Sequence, residues 1–561
     1  MKFLSRSAAS RANAFSVCAS ALLLSFGIAT ANAQTVWTPT ATKALPLTNA
    51  VALGPLSSSA PVHIVVALKL QNSAALNSLI KSQATPGDPL YQTELTPQQF
   101  AAQFGPSAAQ VQAVSSYLTS QGFSNLQVED NNLFISADGT AGDVASAFNT
   151  SLTQYTLNGA TVFANAAAAQ VPASLGGIVL SVLGLNNIVA ARTGARTAIS
   201  QPALKFQYGP KDFQKAYNAG TVATGSTTSV AIFAEGDLTG VLKDLKQFET
   251  TFNQPVVPVT VIQTGLPSPD VAGVDEWDLD SQSSTGIAGG VKHLYFYDAT
   301  SLSDADLAIA FSRFATQKLA KAGNASFGEC DAFPYIDGAM FADDQVFAQA
   351  AAQGQTIFAS TGDTGASCPV QGTNGVPDSG LPMTSYPASS PYVVAVGGTT
   401  LFVDSTGAYD TEVAWNAGGG GISALENTTF WQQGIVPGGN VGKGLPDISM
   451  DADPNTGASL IVNGAPTVVG GTSLSSPLSM GVWARLVAAH KGKLGFASPI
   501  LYKLAAGTTL TQQSTANPVP YVGGFNDVIL GTNGAYVATP GWDFTTGLGT
   551  FDITKVNAMI K

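Results

Sequence analysis

The chain has 561 residues, of which 45% are hydrophobic and only 11% charged, and its formal net charge is −12 with a pI near 4.6. This length allows two or three domains with sizeable cores. The 24 Lys and Arg residues are dispersed, which argues against a nucleic-acid-binding protein. Because so few charges leave few ion pairs to lose on protonation, the composition favours tolerance of acid.

Residues 1–33 have the features of a secretory signal. Three basic residues precede an apolar core at about 15–28, and Ala-Asn-Ala at 31–33 gives a small-residue cleavage site. The core is short for a membrane span, and no later run reaches about 18 apolar residues. We therefore expect a secreted, extracellular protein that does not enter a membrane.

Three cysteines are present, and Cys18 lies in the signal. The remaining two, Cys330 and Cys368, favour one disulfide over a metal site or a nucleophile, because the chain is predicted to be exported.

Strand and helix patterns alternate through residues 34–190, which predicts a small α+β domain. Strands are predicted at 62–70, 126–128, 133–136 and 155–163, and helices at 73–83, 107–121 and 141–148.

Two motifs in this region carry a family resemblance. Residues 91–100 read Tyr-Gln-Thr-Glu-Leu-Thr-Pro-Gln-Gln-Phe, and Phe-Gly-Pro-Ser follows at 104–107. Together they resemble the prodomain signature of the sedolisins, which are secreted serine-carboxyl peptidases made as precursors. The resemblance implies that residues 34–190 are a ferredoxin-like prodomain, which inhibits its own peptidase domain until it is removed. Residues 191–201 would then be a processed linker, although an ordinary interdomain linker would look the same.

From residue 202 to 561 the pattern changes to strands that alternate with long helices. This alternation predicts a largely parallel sheet flanked by helices, and the resemblance implies a subtilisin-like peptidase domain. Ligands bind such sheets beyond the carboxyl ends of the strands. Strands are predicted at 229–234, 256–262, 293–297, 355–359 and 392–396, and helices at 238–252, 276–287, 304–319 and 338–352.

Ser473 is the candidate nucleophile. Residues 470–477 read Gly-Gly-Thr-Ser-Leu-Ser-Ser-Pro, between a β-branched run and an apolar helical pattern. This places Ser473 in the first turn of a helix, where developing negative charge is favoured. Pro477 would also fit the first turn, whose N–H groups lack intrahelical partners. The alternative is that Ser473 only caps the helix.

Carboxylates, not histidines, are the candidate partners of Ser473. His63 lies in the first domain, His293 opens a strand, and His490 lies about five helical turns beyond Ser473. Glu276 and Asp280 are four residues apart on a predicted helix, so both carboxyls share one face and can share a proton. An acidic helix N-terminus without function is the alternative.

The resemblance assigns roles to these carboxylates. Residues 276–282, Glu-Trp-Asp-Leu-Asp-Ser-Gln, match the sedolisin Glu-x-x-x-Asp element, which implies that Glu276 is the general base and acid to Ser473 and that Asp280 orients it. Asp363 follows a predicted strand in Gly-Asp-Thr-Gly, which alone is a common turn. It resembles the family's Ser-Gly-Asp-Ser-Gly element, with Thr at two usual Ser positions, and so implies an oxyanion-hole side chain.

These roles predict an acid pH optimum. A carboxylate would repel a developing oxyanion, whereas a protonated Asp363 can donate a hydrogen bond to it. Glu276 must still accept a proton, so the Glu276–Asp280 pair cannot be fully protonated. Both conditions hold only in acid, which predicts a bell-shaped pH profile centred well below neutrality.

Near the C-terminus, residues 525–528 and 539–543, leading to 546–549, resemble the family's C-terminal signature. The resemblance implies one structural calcium ion, because calcium prefers carboxylate and carbonyl oxygens. Without it, the two aspartates are ordinary turn residues, and Thr539 stands where the family often has Gly. The implied ligands are the side chains of Asp527 and Asp543 and the carbonyls of Val528, Thr539 and Gly541.

The resulting prediction is a secreted, monomeric, acid-active serine-carboxyl endopeptidase that cleaves proteins or peptides through an acyl-enzyme on Ser473. Two alternatives stay open: a histidine-dependent peptidase of the subtilisin type, and a catalytically silent secreted binding protein with the same fold.

Overall fold

The computed structural model describes residues 35–47, 50–197, 207–368, 370–371, 377–378, 382–437, 441–506 and 523–561. Residues Trp37–Lys561 form one compact unit. The predicted signal, residues 1–33, lies outside the described residues. Within the described ranges, no helix is both long enough and apolar enough to cross a membrane.

The first domain is built on a four-stranded antiparallel sheet with the strand order β2-β3-β1-β4. This order and the succession of strands and helices are those of a ferredoxin-like fold, as expected. The strands are β1 (Pro61–Leu68), β2 (Ser124–Val128), β3 (Phe134–Thr140) and β4 (Val179–Leu183), and the helices are α1 (Ser73–Ala84), α2 (Pro97–Phe104), α3 (Ala108–Ser120) and α4 (Ala141–Phe148).

Local sequence explains the helix starts of this domain. Thr96 caps α2 and Ser107 caps α3 by accepting the N–H of the third helical residue, whose glutamine side chain bonds back to the cap. The predicted strand at 155–163 is instead a hairpin of Leu152–Leu157 and Ala160–Asn165. Its turn is Asn158-Gly159, and both residues have positive φ, as a two-residue hairpin turn requires.

The second domain contains an eight-stranded sheet with five helices between its first strands. Seven strands are parallel and one, the edge strand β11, is antiparallel. The strands are β5 (Ser229–Glu235), β6 (Val259–Gln263), β7 (His293–Ala299), β8 (Ala322–Ala325), β9 (Thr356–Ser360), β10 (Val393–Val403), β11 (Tyr409–Ala414) and β12 (Ile448–Asp451); the helices up to β9 are α6 (Thr239–Thr251), α7 (Val274–Ala288), α8 (Asp304–Gln317), α9 (Ala332–Asp337) and α10 (Ala339–Ala352), with α5 (Pro210–Ala216) before β5.

Strand order in this sheet is β6-β7-β5-β8-β9-β10, after which β10 pairs with both β11 and β12. The predicted subtilisin-like fold class is confirmed. Strand β8 was not predicted because its sequence, Ala-Gly-Asn-Ala, has no β-branched residue. It lies buried between β5 and β9, and Gly323 leaves room for the ring of Phe233, which would lie 2.9 Å from any side-chain carbon there.

After the sheet come α11 (Thr472–Ala489), α12 (Ala497–Ala506) and α13 (Ile553–Met559). Helices α7 and α11 cross in close contact, since a side-chain carbon on Gly481 would lie 2.4 Å from the carbonyl oxygen of Ser284. Shorter strands are Trp37–Pro39, Val51–Pro55, Gln170–Pro172, Arg192–Thr193, Arg196–Thr197, Phe327–Cys330, Val370–Gln371, Pro377–Asp378, Ser385–Tyr386, Gly421–Ile422, Gly444–Leu445, Ala458–Val462, Ala465–Gly470, Phe525–Asn526 and Thr550–Phe551, and Gly225–Thr227 and Pro454–Thr456 are single 3₁₀ turns.

The first domain packs against α8 and α10 of the second. Glu94 lies between Lys318 and Lys321 and forms ion pairs with both. Glu129 forms an ion pair with Arg313, whose terminal nitrogen is 3.2 Å from a carboxylate oxygen. Ion pairs between carboxylates of the first domain and basic residues of the second thus hold the two domains together.

Candidate active site

Ser473 is the second residue of α11, which begins at Thr472 after Gly471. Gly471 has φ 110°, and a side-chain carbon there would lie 2.7 Å from both the Oδ2 of Asp363 and the carbonyl oxygen of Gly194. Only glycine therefore fits this turn. Ser473 is completely buried, and its Oγ lies 3.3 Å from the carbonyl oxygen of Ser326.

Pro477 is the sixth residue of α11, so the prediction that it occupies the first turn is wrong. Without an N–H, Pro477 cannot bond to the carbonyl of Ser473 four residues earlier. That carbonyl lies 3.3 Å from the hydroxyl oxygen of Ser326 instead. The proline thus frees a backbone acceptor beside the candidate nucleophile.

Glu276 and Asp280 lie on the face of α7 that packs against α11, and both are fully buried. The Oδ1 of Asp280 accepts from the hydroxyl of Ser326 at 2.6 Å. The Oε2 of Glu276 accepts from the backbone N–H of Ala195 at 2.6 Å. Each carboxyl has one further oxygen, Oε1 of Glu276 and Oδ2 of Asp280, with no hydrogen-bond partner among the described residues. A proton bound to the pair would occupy one of these orphan oxygens.

The electrostatics of this pair favour the retention of such a proton. Burial raises the pKa of Glu276 well above its usual value, and the charge of Asp280 raises it further, while the nearby hydroxyl of Ser473 opposes the shift. Burial also raises the pKa of Asp280, against hydrogen bonds from Ser326 and Asn324. The pair therefore retains a proton at a pH at which ordinary carboxyls are ionised.

Asp363 lies just beyond the carboxyl end of β9 and reaches the N-terminus of α11. Its Oδ1 accepts from the N–H of Thr472 at 2.8 Å and from the hydroxyl of the same residue at 2.7 Å. Its Oδ2 faces Gly194 and lies 3.3 Å from the Nε of Arg196. Burial raises the pKa of Asp363 to about 6, although Thr472 and Arg196 both favour the ionised form. Below about pH 6 this side chain can donate a hydrogen bond.

Residues 192–197, which lie in the predicted linker, pass directly through this site. Gly194 lies over Ser473, because a side-chain carbon on it would be 2.9 Å from the Ser473 Oγ. The structure thus brings all four predicted side chains, Glu276, Asp280, Asp363 and Ser473, around one stretch of the chain itself.

The three histidines lie elsewhere. His63 pairs with Asp138 in the first domain, with a nitrogen–oxygen distance of 2.7 Å. His293 is the first residue of β7, at the end of the sheet away from Ser473, and bonds to Thr260 at 2.8 Å. His490 follows the last residue of α11. No geometry in the described residues supports a histidine-dependent mechanism.

The predicted disulfide between Cys330 and Cys368 is present, and its Cα atoms are 5.4 Å apart. It borders a cavity of about 470 Å³ that opens beside Gly194 on the Asp363 side. The cavity lies between the two domains: Glu329, Phe333, Ser360, Gly362 and Ser385 line it from the second domain, and Pro46, Leu47, Ala50, Leu157 and Ile188 line it from the first.

The residues predicted to hold calcium form a separate loop cluster. The Oδ2 of Asp527 accepts from the N–H of Gly541, and the Oδ2 of Asp543 accepts from the N–H of Thr539, both at 2.9 Å. Burial raises the pKa of Asp527 to about 6, and the charge of Asp543 raises it as well. Two partly buried carboxylates that repel one another fit a hard cation. Since no group of three His, Cys, Asp or Glu side chains in the described ranges could hold a metal, backbone carbonyls would have to complete the ligand set.

Sequence reasoning missed two residues of the site, Ser326 and Thr472. Ser326 follows β8, and a polar residue at the carboxyl end of a parallel strand is a usable signal once that strand is recognised. Thr472 precedes Ser473 and anchors Asp363, which no local pattern indicates.

Comparisons with known proteins agree with this geometry. Residues 48–188 match the pro-kumamolisin activation domain, and residues 270–527 match the subtilase family. The chain is 41% identical to sedolisin from Pseudomonas sp. (strain 101), over 94% of this chain and 93% of that protein. It is 36% identical to xanthomonalisin from Xanthomonas sp. (strain T-22), over 91% of this chain and 67% of that protein.

A solved structure is also similar. Pseudomonas sedolisin, a serine-carboxyl proteinase complexed with two molecules of pseudo-iodotyrostatin, superposes with a TM-score of 0.58 at 38% identity. The match covers 64% of this chain and 98% of that one.

Proposed function

The chain belongs to the sedolisin family of serine-carboxyl peptidases and is made as a zymogen, and we propose that it is secreted and cleaves proteins internally at acid pH through an acyl-enzyme on Ser473. The observation that carries this proposal is the identity of the group beside the buried Ser473. It is the carboxyl of Glu276, supported by Asp280, and not an imidazole. An exported location rests on the signal-like residues 1–33.

In the proposed mechanism, the Ser473 hydroxyl attacks the substrate carbonyl carbon and transfers its proton to Glu276. The hydrogen bond from the Ser326 hydroxyl fixes the position of Asp280, which shares the proton of the pair with Glu276. Glu276 then returns the proton to the leaving nitrogen. The hydrogen bond from the N–H of Ala195 to Glu276 supports this role, since it places a peptide nitrogen at the group that must protonate it.

Asp363 would stabilise the oxyanion as a neutral acid, together with the helix N-terminus at Ser473. With a pKa of about 6 in the uncut chain, Asp363 is neutral below that pH and repels an oxyanion above it. Once the Glu276–Asp280 pair gains its second proton in acid, it can no longer accept one from Ser473. The two limits give a bell-shaped profile on the acid side of neutrality.

A substrate would bind as an extended segment, as residues 192–197 do. The second-domain wall of the cavity beside Gly194, which includes Glu329, Phe333 and Ser385, would remain after the first domain leaves and would accept the side chain of the residue that donates the scissile carbonyl. We propose proteins or peptides as substrates and a monomeric enzyme.

We also propose that one calcium ion is held by the side chains of Asp527 and Asp543 and the carbonyls of Val528, Thr539 and Gly541. Its chemistry would be structural, because it would neutralise two carboxylates that otherwise repel one another. The loop is separate from Ser473, so no step of the reaction passes through it.

The test is digestion of a denatured protein from about pH 2 to about pH 8 by the parent and by Ser473→Ala, with Ser479→Ala as the matched control. Ser479 lies on the same helix, and its hydroxyl donates to the Ser475 carbonyl at 2.9 Å. Digestion that peaks in acid, is lost in Ser473→Ala and persists in Ser479→Ala supports the proposal. A peak above neutrality, or no digestion and no titration by a peptidyl aldehyde, refutes it.

A further inference from the structure

The segment at residues 192–197 is held like a bound peptide. Arg192–Thr193 pair antiparallel with Phe327–Gly328 on one side of the site. Arg196–Thr197 pair antiparallel with Val469–Gly470 on the other side. Addition of an extended strand to two edges fixes the register of a peptide through its main chain. Only Gly194 and Ala195 lie between these two anchors.

The peptide bond between these two residues meets every group the reaction needs. Its nitrogen, the N–H of Ala195, donates to Glu276 Oε2 at 2.6 Å. Its carbonyl side lies against Ser473 and Asp363: a side-chain carbon on Gly194 would be 2.9 Å from Ser473 Oγ and 3.5 Å from Asp363 Oδ2. The carbonyl oxygen of Gly194 and the Oδ2 of Asp363 both crowd the same point at Gly471.

The neighbouring bonds are less suitable. Thr193 and Arg196 are each committed to a strand pair, and the Arg196 guanidinium bonds to the Asp363 carbonyl at 2.8 Å. In the described part of the chain, the backbone N–H of Ala195 is the one that donates to Glu276. Register therefore selects one bond from a linker whose small, polar sequence gives no preference.

We propose that the zymogen cleaves itself between Gly194 and Ala195, so that the first mature chain begins at Ala195. This inference rests on the proposed function and names the bond on which that function first acts.

The cleavage is a hydrolysis that needs only water. The Ser473 Oγ forms a bond to the carbonyl carbon of Gly194, and its proton passes to Glu276. The bond to the Ala195 nitrogen breaks as Glu276 gives that nitrogen the proton, which leaves an ester between Gly194 and Ser473. Water then gives one proton to Glu276 and its hydroxyl to Gly194, and Ser473 regains its proton.

The direct test uses the full chain, purified uncut near neutral pH and then shifted to about pH 4. Early samples are analysed by intact mass and N-terminal sequencing, at several dilutions. We expect Ala195 as the first new N-terminus, at a rate independent of dilution, and no cleavage in Ser473→Ala.

The outcomes separate this inference from the proposed function. A first N-terminus at another residue, in a protein that still digests casein in acid, overturns the processing bond and leaves the function intact. A chain that neither cuts itself nor digests casein after processing by another protease overturns the function as well.

A pair of linker variants adds a second measure. Ala195→Pro removes the N–H that donates to Glu276, whereas Ala195→Ser keeps it. We expect the proline variant to lose the first cut by at least about a hundredfold, or to shift it to another bond, and the serine variant to be cut at the parent position. A proline variant that releases a chain beginning at residue 195 at the parent rate would overturn the assignment.

Discussion

Replacing Asp363 by asparagine would separate the two ionisations that bound the proposed pH profile. Asparagine keeps an oxygen that can accept from Thr472 and places an N–H₂ where Oδ2 lies, so it can donate to an oxyanion at any pH. We expect Asp363→Asn to be less active than the parent in acid and to lose the alkaline limb.

The expected size of the effect follows from the pKa of about 6. Above that pH the neutral fraction of Asp363 falls tenfold per pH unit, so at about pH 8 it is on the order of one hundredth, which corresponds to about 2.7 kcal/mol. Removal of the linker would take away the Arg196 contact, which lowers the pKa of Asp363, together with part of the burial, which raises it. The ratio of kcat/KM for the variant to that for the parent should rise by up to about a hundredfold between pH 5 and pH 8.

The assay is kcat/KM on a fluorogenic peptide, with each variant zymogen processed by immobilised parent enzyme that is then removed. Asp278→Asn is the matched control. Asp278 is also buried on α7, but it faces Asp244 and Gln282, and its pKa is raised to about 9, mainly by burial. If Asp363→Asn keeps the parent's alkaline limb, the limb belongs to another group and the assigned role of Asp363 is wrong.

Three further outcomes are expected. Gly471→Ala should abolish self-processing, since the added side-chain carbon would lie 2.7 Å from Asp363 and from the linker. The control Gly464→Ala, at a residue with φ +75° but open surroundings, should process itself normally. A Gly471→Ala variant that processes itself would contradict the geometry. A calcium chelator should lower the Tm of the parent by several degrees, and that response should be absent in Asp527→Ala; an equal response in both would place the ion elsewhere. The Ser473→Ala chain should unfold at a higher temperature near pH 4 than near pH 7, as measured by calorimetry, because buried carboxyls with a raised pKa bind protons more tightly in the folded state. The destabilisation that these carboxyls cause is absent below about pH 4 and grows as the pH rises through their folded pKa values. A Tm that increases from pH 4 to pH 7 would contradict this. Carboxyls with a pKa raised to between about 7 and about 9 include Glu235, Asp278, Asp298, Glu329 and Glu412.

Periodicity predicted the elements that have strong patterns and missed those that do not. The five predicted strands of the second domain all exist, because β-branched and aromatic residues mark them. Strand β8, Ala-Gly-Asn-Ala, has small residues because its neighbours leave little space, and these residues carry no strand signal in the local sequence. The hairpin around Asn158-Gly159 was a readable signal that was overlooked, since that dipeptide favours a two-residue turn.

The candidate site was predictable as a set of residues but not as an arrangement. Motifs selected Ser473, Glu276 and Asp363, each at a helix start or a strand end, where side chains are free to converge. The contact of Ser326 with Asp280 and the passage of Gly194 over Ser473 depend on residues more than 40 positions apart. Such contacts arise from the packing of α7 against α11 and leave no trace in local sequence.

The disulfide links two parts of the cleft, the strand that pairs with residues 192–193 and the loop that follows Asp363. Cys330 ends the strand that pairs with Arg192–Thr193, and Cys368 follows Asp363 by five residues. The disulfide therefore joins the wall of the cleft that pairs with the peptide to the loop whose Asp363 would stabilise the oxyanion. Such bonds form in oxidising compartments and not in the reducing cytosol, so under the proposed export this wall and this loop become linked only after the chain leaves the cytosol. The position of the cleft wall relative to the Asp363 loop would then be fixed by redox conditions before acidity has any effect.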